Sequence, residues 1–146
     1  MPTYTVSTAT HRLTPRQKTR IAQEITRIHN SITGAPAFFA QVLFADIEPG
    51  NHFVGGKPLQ HDLIFLHGHI RAGRTPEQKQ DLLLQLVAAL AEAANAPQNT
   101  VWAYLNELPP NQMAEFGHLL PQPGTESDWF QSLPPEDRSL MERIGR

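Results

Sequence analysis

Proline stands directly behind the initiator methionine in the opening stretch MPTYTV. If Met1 is removed, Pro2 carries a free secondary amine, a titratable base or nucleophile; if Met1 stays, the same nitrogen is an inert amide. A model α-amino group titrates near ~7.7–8.0. Apolar burial lowers that value and makes a base at neutral pH, whereas a neighbouring carboxylate raises it and makes an acid. A plain surface terminus is the simpler alternative. The next chemically informative stretch is HGHIRAGR, residues 67–74. Arg71 and Arg74 flank a glycine just before Thr75-Pro76, where a strand end and a helix start together favour an anion. Two guanidinium groups there suit a carboxylate gripped in bidentate fashion, although two exposed arginines on a solvated corner satisfy the same pattern. His29 falls at the end of a helical stretch, where a cationic imidazole is favoured by the helix dipole. Tyr104 lies in a strand-like segment and Glu115 follows in NQMAEFG. Each of these three also has an ordinary structural reading.

Other candidate motifs carry less. His67 and His69 form an H-x-H pair with both side chains on one strand face, but no third ligand stands at a recognisable spacing, so a hydrogen-bonded or surface pair is favoured over a metal. FVGGK, residues 53–57, is glycine-rich without the phosphate-loop pattern and reads as a turn or flap. No cofactor is implied.

The elements that must position these residues repeat. LTPRQK (13–18) and RTPEQK (74–79) share Thr, Pro, Gln and Lys at an offset of 61, from Thr14 to Thr75. The same offset takes Ala35-Pro36 onto Ala96-Pro97 and VLFADI (42–47) onto AYLNEL (103–108). Three matches in one register indicate two copies of one unit. Thr14 and Thr75 are N-caps with proline at the first helical position, and Gln17 and Gln78 complete capping boxes. Ile21, Ile25, Ile28 and Ile32 then recur at helical spacing, as do Leu83, Leu86, Val87, Leu90 and Ala94. Strand candidates precede the caps at 3–8 and 62–70 and follow the helices at 37–47 and 100–108. Each unit is therefore strand–helix–strand with a right-handed crossover between parallel strands.

The fold class expected is α/β in the α+β sense: two βαβ repeats, 2–47 and 62–108, form a four-stranded sheet with two helices on one face. A loop-rich, proline-rich C-terminal arm, 109–146, has no counterpart in the first unit; it carries one short helix near 135–144, pinned by Trp129 and Phe130. The strands look apolar on both sides (Phe38, Phe39, Val42, Phe44; Val101, Trp102, Leu105), so the bare face needs a partner, and a homo-oligomer packed through its sheets follows. One domain is the default for 146 residues. A net charge of −2 without a basic run argues against nucleic acid. There are no cysteines, which excludes disulfides and thiolate sites. Neither a secretory signal nor a run of ~18 apolar residues is present, so no membrane is expected and the default location is cytoplasmic.

Taken together, the opening PTYTV, the ITxxH register at 25–29, AQVLF (40–44), HGHIRAGR, VWAYLNELP, NQMAEFG, LPQPG (120–124) and Trp129-Phe130 resemble the tautomerase superfamily, and within it cis-3-chloroacrylic acid dehalogenase and its homologues. The resemblance spans essentially the whole chain and rests on the order and spacing of these segments. It implies a trimer. It also implies that Pro2 is a general acid, that Arg71 and Arg74 hold the substrate carboxylate with help from His29, and that Tyr104 and Glu115 activate and aim a water. The implied reaction is hydrolytic dehalogenation or hydration of a three-carbon unsaturated acid. Keto–enol tautomerisation of a 2-oxo acid with Pro2 as base, or a non-catalytic trimeric binding protein, are the alternatives.

Overall fold

The computed structural model describes residues 2–35 and 40–144. The two units take shape where expected. Strand β1 (Thr3–Ala9) leads to helix α1 (Pro15–Thr33) and strand β2 (Gln41–Ile47). Strand β5 (Ile64–Arg71), helix α2 (Pro76–Ala94) and strand β6 (Val101–Leu108) repeat that order. Between the units lies a small hairpin, β3 (Phe53–Val54) and β4 (Lys57–Pro58). The expected start of the second strand at Ala37, with Phe38 and Phe39, falls outside the described residues.

Local chemistry sets the helix ends. Thr14 and Thr75 both accept from the backbone N–H three residues on, and Gln17 and Gln78 return the bond. The helices close on left-handed residues, Gly34 and Asn95, which again stand 61 apart. Each capping glutamine also reaches the end of the other helix: Gln17 Nε2 donates to Ala94 O at 3.1 Å and Gln78 Nε2 to Ile32 O at 3.2 Å. The end of α1 is thereby tied to the start of α2.

The sheet order is β2-β1-β5-β6, with β1 parallel to β2, β5 parallel to β6, and β1 antiparallel to β5. Tyr4 and Val6 of β1 and Ile64, Leu66 and Ile70 of β5 turn inward. They pack with Ile21, Ile25 and Ile28 of α1 and with Leu82, Leu86 and Leu90 of α2. The stripe on α2 runs through Leu82, in step with Leu86, Leu90 and Ala94, whereas Leu83 is only half-buried. The opposite sheet face is more mixed than the strand composition suggests. Val42, Phe44 and Leu105 pack against the core. Strand alternation leaves Thr3, Thr5, Ser7, His67 and His69 on the outer side, beside the exposed Leu43, Trp102 and Tyr104.

After β6 come a second hairpin, β7 (Ala114–Glu115) and β8 (His118–Leu119), then helices α3 (Glu126–Ser132) and α4 (Pro135–Ile144). Helix α4 matches the expected short helix; α3 is a second helix, where the arm was expected to be loop. The hairpin at 114–119 stands 61 residues from the hairpin at 53–58, so the correspondence between the units runs beyond Leu108. Even the turns agree: Gly55 and Gly56 have φ of 61° and 75°, Phe116 and Gly117 of 53° and 82°, the paired left-handed residues of a tight hairpin turn. No helix among the described residues is long and apolar enough to cross a membrane.

Replacing either N-cap, Thr14→Ala or Thr75→Ala, is expected to lower the unfolding free energy by about 1 kcal/mol, and the double variant by about the sum, as read from urea denaturation midpoints.

Candidate active site

Antiparallel pairing of β1 with β5 brings the beginning of β1 and the end of β5 to one edge of the molecule, together with the start of β2 and the end of β6. Pro2 is buried there, and its carbonyl accepts from Gln41 N at 3.0 Å, so the strand start is pinned to β2. Arg71 ends β5. Arg74 precedes the Thr75 cap, and His29 comes up from α1 because the capping contacts hold the end of that helix against α2.

A tight stack supports His29. Tyr4 pairs with Gly68 across the sheet. A Cβ on Gly68 would stand 2.6 Å from the Tyr4 ring, so only glycine admits the phenol there. Tyr4 Oη lies 2.8 Å from His29 Nδ1, with the rings edge to face. Burial raises the Tyr4 phenol above its ordinary range, keeping it protonated. His29 is 3% exposed. Burial, with the Arg74 charge next, pushes its imidazole down to about 3. The expected helix-end cation is therefore corrected to a neutral, buried imidazole, because desolvation and two nearby guanidinium groups outweigh the helix dipole.

The two arginines differ. Arg71 is 5% exposed; its Nη1 donates to Pro121 O at 2.8 Å and its Nη2 to Glu126 Oε1. Arg74 keeps a buried Nε with no hydrogen-bond partner. Burial, and then the Arg71 charge, press its guanidinium below the usual range, though arginine remains protonated.

Glu115 lies on the wall of a cavity of about 880 Å³ that Thr3, Gln41, His69 and Met113 also line. Burial raises its carboxyl above the usual range. Glu115 follows Ala114 in a hairpin whose turn includes Phe116 at φ 53°, a left-handed conformation that costs a non-glycine residue on the order of 1 kcal/mol. The His69 ring lies 4.5 Å from that of His67, tilted by 48°, and its buried Nδ1 has no partner. Tyr104 is the sequence candidate that the single chain leaves on its surface, 56% exposed on the outer sheet face and edge-on to Phe65; of the six candidates, Glu115 is the one that lines the cavity. His29, Arg71 and Arg74 thus form one electrostatic cluster. Glu115 faces a cavity walled by Thr3, the residue after Pro2.

Sequence reasoning missed Tyr4, Gly68 and Glu126. The first two read as ordinary strand residues. Glu126 follows the noted LPQPG segment but carries no signal for its partner 55 positions away.

The profile of a family described as putative oxalocrotonate tautomerase enzyme matches residues 1–132. A crystal structure described as a member of the cis-3-chloroacrylic acid dehalogenase family is 35% identical, covering 97% of this chain and 99% of that one, with a TM-score of 0.92. Native Ps01740 is 31% identical over 77% of this chain and 99% of its own, with a TM-score of 0.73. A fused 4-OT solved as an asymmetric trimer shares the fold at 24% identity, covering 80% of this chain and 94% of that one, with a TM-score of 0.74. No curated protein is significantly similar.

The buried neutral His29 fixes the sign of one pH effect. Unfolded histidine takes up a proton below about 6.5, whereas the native site resists until about 3. Acid in that window therefore favours unfolding. Stability should fall as pH drops from about 6.5 towards 3, with a slope approaching ~1.4 kcal/mol per pH unit from this group. Melting temperature against pH checks it: His29→Gln should flatten the slope, whatever its effect on stability at pH 7.

Proposed function

The chain belongs to the tautomerase superfamily, within the putative oxalocrotonate tautomerase family and in the company of cis-3-chloroacrylic acid dehalogenase, and from that premise we propose that it adds water to a small three-carbon unsaturated acid. The observation that carries this reading is Glu115. A half-buried carboxylate of raised basicity on the cavity wall that Thr3, the residue after Pro2, also lines is a general base that keto–enol exchange does not need.

The reaction follows from the residues. Pro2 acts once Met1 has been removed. The substrate carboxylate sits on Arg74, beside Arg71. With the Tyr4 phenol donating to His29 Nδ1, the imidazole proton is on Nε2, free to donate to the same carboxylate. These groups stabilise the charge that gathers on the carboxylate as an enediolate-like state forms. Glu115 takes a proton from water, whose oxygen bonds to the carbon remote from the carboxylate. Pro2, as a cation, delivers a proton to the adjacent carbon. In a 3-haloacrylate the new hydroxyl and the halogen share a carbon; loss of hydrogen halide gives malonate semialdehyde. An acetylenic acid hydrated in the same way gives the enol of the same product. Positioned acid and base groups each contribute roughly 10²–10⁴-fold.

Tyr104, exposed in the single chain, favours a second reading. If no neighbouring subunit brings it to a cavity, water aiming is lost, and a neutral Pro2 serves as the base of a 2-oxo acid tautomerase. The exposed Leu43, Trp102 and Tyr104 and the outer strand face support self-association, and the trimeric structure of a fused 4-OT makes three copies the expected number.

A proton NMR time course with cis-3-chloroacrylate and methionine-free protein tests the chemistry. Malonate semialdehyde should accumulate, with loss of at least about 10²-fold in Glu115→Gln and in Pro2→Ala. No product at high enzyme concentration, with turnover of phenylpyruvate instead, transfers the assignment to tautomerase. Light scattering should return three times the chain mass, and Trp102→Glu should shift it towards one.

A further inference from the structure

The C-terminal arm is strapped across the two arginines. Pro121 O accepts from Arg71 Nη1. Pro123 lies so close to Gly73, the residue before Arg74, that a Cβ there would stand 2.6 Å from the proline ring. Gly124 N donates to Glu126 Oε2 at 2.8 Å, and the other carboxylate oxygen accepts from Arg71 Nη2. Glu126 is thus held at both oxygens. Burial would raise its carboxyl, but the Arg71 hydrogen bond holds it below the ordinary range, so it is ionised at neutral pH.

The charges around this strap can be counted. Arg71 and Arg74 are cations, Glu126 is an anion and His29 is neutral. Glu107, which accepts from the Gly73 and Arg74 backbone N–H groups, is balanced by Lys79 at 2.7 Å. Pro2 and Glu115, the acid and base of the proposed reaction, carry opposite charges. One net positive charge remains for the ligand, and the guanidinium left open is Arg74, whose buried Nε lacks a partner.

We infer that Glu126 sets the charge selectivity of the site: by occupying Arg71 as an internal counter-ion, it leaves one carboxylate-binding charge and selects small monocarboxylates over dicarboxylates. This rests on the carboxylate site proposed above. Removing the Glu126 charge raises the net charge to two, which favours every anion but a dianion most. Glu126 is a positioning residue here, since it acts through Arg71.

Equilibrium binding of small unreactive carboxylate probes, followed by titration calorimetry on the intact oligomer, separates this role from catalysis. Wild type should bind propionate and monomethyl malonate about tenfold or more tightly than malonate dianion, the scale of one unit charge a few ångströms away in a partly screened site. Glu126→Gln, which keeps the acceptor for Gly124 N, should shift the preference towards malonate by about tenfold or more, while Glu126→Asp keeps the wild-type ratio. An unchanged ratio in a folded Gln variant overturns the role of Glu126. So does wild type binding malonate as tightly as its monomethyl ester, a comparison that stands even if the Gln variant does not fold. Failure of wild type to bind any of the three overturns the carboxylate site itself, whereas failure to turn over cis-3-chloroacrylate leaves the binding ratios untouched.

Discussion

Everything at the candidate site depends on the antiparallel seam between β1 and β5. Parallel strands alone would put the chain start and the HGHIRAGR segment at opposite edges. The reversal between the two units returns β5 to the beginning of β1, so that Thr3 pairs with His69 and Tyr4 with Gly68. The absent side chain of Gly68 then lets the Tyr4 ring settle against the strand and meet His29. A proline at a frayed terminus would be ordinary; here Pro2 is buried, its carbonyl bonded to β2, at an edge that also carries two arginines. The seam also sets the cost. Neutral His29, a guanidinium with an unmatched Nε and a carboxyl raised by burial are unfavourable features that the surrounding apolar core offsets.

Local interactions made the frame legible. A threonine cap, a proline in the first turn and a glutamine three residues later specify a helix start within six residues, and both caps form as read. The 61-residue register made the sheet legible too, since duplication turns weak strand signals into paired ones. Legibility faded where signals became short or long-range. Two-residue strands have no periodicity to detect, and a seven-residue helix has barely two turns. The α2 stripe differs at its first member, Leu82 in place of Leu83, because Leu82, Leu83 and Leu84 are alike in type and only packing chooses among them. The charge state of His29 is hidden from the sequence because position along the chain reports the helix end but neither the burial of the ring nor the guanidinium groups that approach from the second unit.

The outer sheet face has a divided character. Its centre carries hydroxyls and imidazoles from β1 and β5, and its borders carry Leu43, Trp102 and Tyr104. Such a surface suits an interface with an apolar perimeter and hydrogen-bonding groups along its middle, where the matching of polar partners decides which orientation of two sheets is satisfied. Tyr104 belongs to that perimeter in position and in exposure, so the fold of one chain leaves its hydroxyl side uncovered.

The 61-residue correspondence has a further consequence for how the molecule tolerates change. At the far end of the sheet, the positions equivalent to Pro2, His29, Arg71, Arg74, Tyr104 and Glu115 are Leu63, Leu90, Thr10, Leu13, Leu43 and Val54. Leu13, Leu63 and Leu90 are buried. Pro2, His29 and Arg74 at the near end are thus matched by buried leucines at the far one, where Glu48, His52, His61 and Asp62 supply the polar groups instead. Labour is divided between the ends: the far one supplies cohesion, the near one spends it. Drift in sequence should therefore be asymmetric. Conservative apolar exchanges suit the leucine end, whereas at the same backbone positions 61 residues away an apolar residue would replace a charged or hydrogen-bonded side chain such as His29 or Arg74. The leucine end also preserves a second copy of the cradle, on which a new site could be built without disturbing the first.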